Sequence, residues 1–152
     1  MKLQFKPMNQ AEAEEIANWE YEEPYSFYNM KNDEEDLEEL LNPNARKNIY
    51  FSLYNDNALI GFFTFTVEND VVDIGLGLKP SLTGKGLGKD VLLEGLAFAK
   101  ERYQSKRFSL AVAAFNKRAI KVYEKVGFKP QNTFMQRTNG GEYEFLKMVK
   151  NI

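Results

Sequence analysis

Apolar and polar residues alternate over residues 2–6, where Leu3 and Phe5 stand out, and this period of two predicts a short first strand. The period then lengthens. From Asn9, a residue suited to cap a helix, Ala11, Ala13, Ile16, Ala17 and Trp19 recur at helical steps, with Glu12 favourably placed in the first turn. A second, acidic helix opens at Asp33, turns Leu37, Leu40 and Leu41 inward and stops at Asn42-Pro43. Residues 47–54 and 58–67 read as two strands joined at Asn55-Asp56-Asn57, and Asn69-Asp70 turns the chain into a third over 71–78, rich in Val71, Val72, Ile74, Leu76 and Leu78. Up to this point the pattern is an antiparallel meander.

Pro80 stops that run, and a glycine-rich stretch follows: Thr83, Gly84, Lys85, Gly86, Leu87, Gly88. A helix continues to about Tyr103 with Val91, Leu92, Leu96 and Phe98, although Gly95 within it costs about 1 kcal/mol relative to alanine. Residues 108–113 are apolar on both faces and predict a central strand. Asn116 caps another helix, in which Ala119, Ile120, Tyr123 and Val126 share a face and Gly127 is placed to end it. Residues 131–137 and 142–150 form a last hairpin around Asn139-Gly140-Gly141. No repeat, linker or low-complexity tract divides the chain, so residues 1–152 predict a single mixed α/β domain.

Strand, glycine loop and helix start is an arrangement that makes an anion cradle. The first amides of a helix lack internal partners and sit at the positive end of its dipole. Glycines remove the Cβ atoms that would hold a phosphate away. The spacing fits neither a Walker A loop, since Asp90 follows Gly88-Lys89, nor the G-x-G-x-x-G dinucleotide fingerprint. On the loop alone, a phosphate-bearing ligand and a bare helix-capping turn both remain open.

Composition narrows the chemistry. The chain has no cysteine and no histidine, which excludes a disulfide framework, Cys/His metal sites and any histidine-based triad, and predicts no metal. General acids and bases must then come from Asp, Glu, Lys or Tyr. The absence of a signal-like or membrane-length apolar run predicts a cytoplasmic protein without a membrane partner. Residues 1–45 hold twelve acids against three bases, and residues 46–152 ten acids against seventeen bases. The split predicts a cation-friendly and an anion-friendly environment, unless two solvated helix faces merely differ, and the overall acidity argues against nucleic acid. The aromatic, acid-interleaved stretch Trp19, Tyr21, Tyr25, Tyr28 either packs over a core or lines a pocket.

Two motifs carry a family resemblance. Thr83, Gly86 and Gly88 lie on the Gln/Arg-x-x-Gly-x-Gly/Ala pyrophosphate loop of the GNAT superfamily of acyl-CoA-dependent N-acetyltransferases, and residues 116–128, from Asn116 through Tyr123 to Gly127-Phe128, are similar to its asparagine, helix, tyrosine and Gly-Phe segment. The resemblance implies a GNAT-like α/β (α+β) domain, with a mixed, mostly antiparallel sheet of about seven strands flanked by about four helices. It implies acetyl-CoA in a cleft between strands 71–78 and 108–113. The diphosphate would meet the amides of Gly84, Lys85, Gly86, Leu87, Gly88 and Lys89, and pantetheine would pair with Leu76 and Leu78 and touch Asn116. A bulge near Gly75 and Gly77 would aim an amide at the thioester, and Tyr123 would act as general acid. Thr83 departs from the family pattern, which removes a Gln or Arg contact to the diphosphate.

The activity so implied is direct acetyl transfer in a ternary complex to a primary amine of a small cationic molecule or protein. Glu20, Glu22, Glu23 and Asp73 are candidate bases, with Glu22 and Asp73 put forward, and Trp19, Tyr21, Tyr25 and Tyr28 candidate acceptor-binding residues. Lys117, Lys121 and Lys125 face either the cofactor's 3′-phosphate or solvent. A non-catalytic acyl-CoA-binding module with the same fold is the alternative. The aromatic content leaves surface for a homodimer.

Overall fold

The computed structural model describes residues 3–152. Seven strands, β1 (Leu3–Pro7), β2 (Tyr50–Asn55), β3 (Ala58–Glu68), β4 (Val71–Leu78), β5 (Arg107–Ala113), β6 (Lys129–Thr138) and β7 (Gly141–Asn151), form one sheet in the order β1-β2-β3-β4-β5-β7-β6. All neighbours pair antiparallel except β4 and β5. Among the described residues there are five α-helices: α1 (Gln10–Ala17), α2 (Glu34–Leu41), α3 (Pro43–Arg46), α4 (Gly88–Arg102) and α5 (Lys117–Val126). None is long and apolar enough to cross a membrane.

The period-two strands divide their apolar residues between two layers. Phe51, Leu53, Phe63, Phe65, Val72, Phe108 and Leu110 pack against Val91, Leu92, Leu96 and Ala99 of α4 on one face. On the other, Tyr50 and Phe62 meet Ala13, Ile16 and Ala17 of α1, Trp19, and Leu40 of α2. Gly95 belongs to the first layer: a Cβ there would come 2.3 Å from the Phe63 ring. The apparent flaw in α4 is the slot that admits a phenylalanine.

Two expectations are corrected. Asn42-Pro43 starts a helical turn as well as ending one. The Asn42 side chain accepts from the amides of Asn44 (2.9 Å) and Ala45 (3.4 Å), and Pro43 takes the first helical position, where no N–H is needed. Arg46 is buried in that turn and donates to the Leu40 carbonyl (2.7 Å) and to Gln10 Oε1 (2.8 Å), so β2 begins at Tyr50 rather than at 47. Nor does β4 carry a bulge. Its register with β3 is unbroken from Gly61↔Leu78 to Glu68↔Val71, and the irregularity lies between Leu53 and Tyr54 of β2. Gly77 serves close packing instead, since a Cβ would fall 2.5 Å from the Phe62 ring.

The site is positioned by a parting of the sheet. β4 and β5 pair at Val71↔Arg107, Val72↔Phe108 and Asp73↔Ser109, and from there they separate. Residues 74–78 of β4 remain bonded to β3 on one side and open on the other.

Candidate active site

The gap between the strands is a cleft of about 420 Å³. Its floor is Ile74–Leu78 of β4 and Leu110–Val112 of β5. Trp19, Tyr21, Tyr25 and Tyr28 wall one side, Asn116, Arg118 and Tyr123 of α5 and its cap another, and Thr83 closes one end. The fold therefore gathers all four aromatic candidates with Leu76, Leu78, Thr83, Asn116 and Tyr123, from stretches far apart in the chain.

Each aromatic has a distinct setting. Trp19 lies just past the end of α1, not within it, and is buried with the α1–α2 layer. The Tyr21 hydroxyl donates to the Leu78 carbonyl at 2.7 Å, and burial pushes its pKa up to about 12. Leu78 thus already uses one lone pair of the carbonyl expected to pair with pantetheine. Tyr25 and Tyr28 belong to a 3₁₀ turn over Tyr25–Tyr28. Tyr28 is raised above the usual phenol range by burial, and its oxygen accepts from Asn116 Nδ2 at 3.0 Å. Asn116 Oδ1 meanwhile accepts from the Ala119 amide at 3.1 Å, capping α5. Both ends of that side chain are engaged.

Tyr123 is recessed on α5, with the Phe128 ring edge-on at 6.1 Å. Burial first, and the neighbouring Tyr28 second, push its hydroxyl well above the ordinary phenol range. Such a group stays protonated at neutral pH and keeps its O–H available to donate.

The glycine loop continues from Thr83 along α5. Gly84 and Gly86 have φ of +71° and +78°, a region costly for other residues, and Gly88 lies against Val122. α4 starts after Leu87 without a side-chain cap, so Gly84, Lys85, Gly86, Leu87, Gly88 and Lys89 form a stretch whose amides include the unsatisfied start of a helix. This is the part of the arrangement suited to a diphosphate.

The proposed bases fare differently. Glu22 is exposed on the loop before the 3₁₀ turn and does not line the cleft. Asp73 sits at the apex where the strands part; its Oδ1 accepts from Ser109 Oγ at 2.9 Å, and loss of surrounding water raises its pKa above the usual carboxylate range. The acids that do line the cleft are Asp33 and Asp36, together with the guanidinium of Arg118. Asp33 caps α2, accepting from the Asp36 amide at 3.0 Å, and also binds Thr138 Oγ1. Those hydrogen bonds, that from Thr138 first, hold it below the usual carboxylate range. Asp36 is pushed up to about 6, first by loss of surrounding water in the cleft wall and then by repulsion from Asp33, Glu39 and Glu35. In the sequence these acids look like any solvated helix face; the signal that could have marked Asp33 is its position as cap immediately after the aromatic stretch.

Comparison with known proteins agrees with this anatomy. The chain superposes on the spermidine N-acetyltransferase of Vibrio cholerae in complex with CoA and spermine, with a TM-score of 0.76 and 21% identity over 98% of this chain and 95% of that one. It also superposes on a chimera of the Vibrio cholerae enzyme (TM-score 0.80, 20% identity, 99% and 96% covered) and on a dodecameric structure of that enzyme (TM-score 0.72, 22% identity, 98% and 93% covered). At such identities the likeness establishes the fold. Among curated protein sequences, none matches. The model of the acetyltransferase (GNAT) family matches residues 12–128, from α1 through the cleft, the glycine loop and α5. With three quarters of its length matched, the chain belongs to the GNAT acetyltransferase family, enzymes that move an acetyl group from acetyl-CoA to an amine.

Proposed function

We propose that this protein transfers the acetyl group of acetyl-CoA directly to a primary amine of a small polycation, both substrates occupying the cleft together. The observation that carries this reading is the convergence of the open β4 edge, Tyr123 and two carboxylates in one cavity. Pantetheine is an amide chain, and the unpaired edge at residues 74–78 offers it the main-chain groups an added strand would use. The diphosphate then falls at residues 84–89. Asp33 and Asp36 draw a protonated amine, and the ring of Tyr28 suits a cation by cation–π contact. Spermine is held by the Vibrio cholerae enzyme, and the acid-lined cleft supports the same class of acceptor here.

The amine must shed a proton before its nitrogen attacks the thioester carbon. Asp36, with its raised proton affinity, is the cleft acid best suited to take it, directly or through water. The N–C bond forms, the C–S bond breaks, and sulfur takes a proton. Tyr123 is the donor. A full transfer from a phenol above pKa 10 to a thiolate near 8.5 is uphill, so the hydroxyl acts first as a hydrogen-bond donor to the growing charge on sulfur.

Tyr123→Phe tests the assignment. Thiol release with acetyl-CoA and a polyamine should fall about a hundredfold in kcat, while the Kd for acetyl-CoA measured by calorimetry stays within about twofold of wild type, a difference too small to signal a lost interaction. An unchanged kcat removes Tyr123 from the chemistry. Tight cofactor binding with no turnover on any amine favours the non-catalytic acyl-CoA-binding module.

A further inference from the structure

We propose that Arg118 grips the cofactor's diphosphate and that Tyr25 holds its guanidinium in place, so that the aromatic wall and the glycine loop meet at one side chain. The inference rests on the reading that the cleft takes acetyl-CoA. Arg118 stands two residues past the cap of α5, with its guanidinium carbon 4.1 Å from the centroid of the Tyr25 ring. The same group reaches the glycine loop: a Cβ on Gly84 would come 3.2 Å from Arg118 Nη1. Neither an aromatic face nor a glycine neutralises the charge. A stacked guanidinium keeps its edge N–H groups free, and that planar fork matches two phosphate oxygens.

Helix stability does not explain an arginine here. The first turn of α5 contains Lys117 and Arg118 and no acid, although cations are disfavoured at the positive end of a helix. A bound anion reverses that sign. Thr83, at the cleft end of the loop, donates its hydroxyl to the Pro80 carbonyl at 2.8 Å and so spends its hydrogen on its own turn. Arg118 supplies from α5 the donor that Thr83 does not.

Calorimetry on the full chain with CoA, 3′-dephospho-CoA and pantetheine separates the parts of the ligand. Arg118→Gln, at an exposed position, should raise the Kd of CoA and of 3′-dephospho-CoA by about tenfold or more, as loss of a charge-assisted hydrogen bond does, and leave pantetheine unchanged. Tyr25→Leu should weaken CoA in the same way but less, with Tyr25→Phe near wild type. Thr83→Arg added to Arg118→Gln should restore CoA affinity. The proposal is overturned if Arg118→Gln leaves the Kd of CoA unchanged, if it weakens CoA but not 3′-dephospho-CoA (a contact to the 3′-phosphate), or if pantetheine weakens equally. A wild-type protein that binds no CoA at all removes the acetyl-CoA reading itself along with it.

Discussion

Asp36 illustrates how a site can hold a charge against the interest of the fold. Its carboxyl, ordinarily acidic near 4, titrates near 6 because the cleft wall strips water from it and Asp33, Glu39 and Glu35 repel its charge. The folded form keeps a proton that the unfolded chain has already released, so stability declines as pH rises from about 4 to about 6, and above that the charge opposes folding. Asp36→Asn should therefore raise Tm at pH 7 by at most a few degrees, the charge being partly solvated. In the same variant kcat/KM for a polyamine should fall about tenfold or more, and the acidic limb of its pH profile near pH 6 should vanish. A pH–rate series beside thermal unfolding measures both. Asp36 was not legible in the sequence, because no spacing separates it from Glu34 and Glu35 on the same short helix. The positions of Asn116 as the cap of α5 and of Tyr123 on its apolar face were legible, since cap, face and Gly127 fix their places relative to one another; their roles were expected from the family resemblance alone.

Elements were legible where one face is apolar and the period is clear, as in β3 to β5, α4 and α5. They were misread where a single residue serves two neighbours. Asn42 ends α2 and caps α3, and only the fold shows that Arg46 has a buried pocket to fill. Glycines mislead for a related reason, since an absent side chain says nothing about what occupies its space. Gly95 looks like a weakness worth about 1 kcal/mol, and alanine is the better helix former. Yet a methyl group there would stand 2.3 Å from two atoms of the Phe63 ring in the layer between α4 and the sheet. Overpacking of this kind costs about 1–3 kcal/mol and outweighs the propensity gained. Gly95→Ala should lower Tm by several degrees in differential scanning calorimetry; a rise would mean that Phe63 moves aside at little cost.

On the scale of the whole molecule, Glu12 ties α1 to the sheet. It completes a reciprocal cap with Asn9, at 2.9 and 2.8 Å, and its carboxylate accepts from Ser52 at 2.8 Å and from Tyr54. The sequence shows the cap but not the partners forty residues on. Burial pushes this carboxyl up, but the Asn9 amide, the two hydroxyls and Lys6 outweigh that and hold it below the usual range. Its contribution is complete at neutral pH and is lost as pH falls through that lowered value. Glu12→Gln should cost about 1–3 kcal/mol in urea unfolding at pH 7, with the gap to wild type closing in strong acid. The same whole-molecule view bears on solubility. β1 carries Lys6 and ends at Pro7, and β6 carries Lys129, Pro130 and Arg137, so both outer rims hold the residues that discourage a stranger from adding a strand. The parting of β4 from β5 creates a third rim, Gly75 to Leu78, without a charge on it. Position guards it: β5 faces it across the gap, and Tyr21 occupies the Leu78 carbonyl. An aggregating chain would have to enter the cleft to use that rim, so the opening proposed to receive a substrate is shielded from templating a fibril.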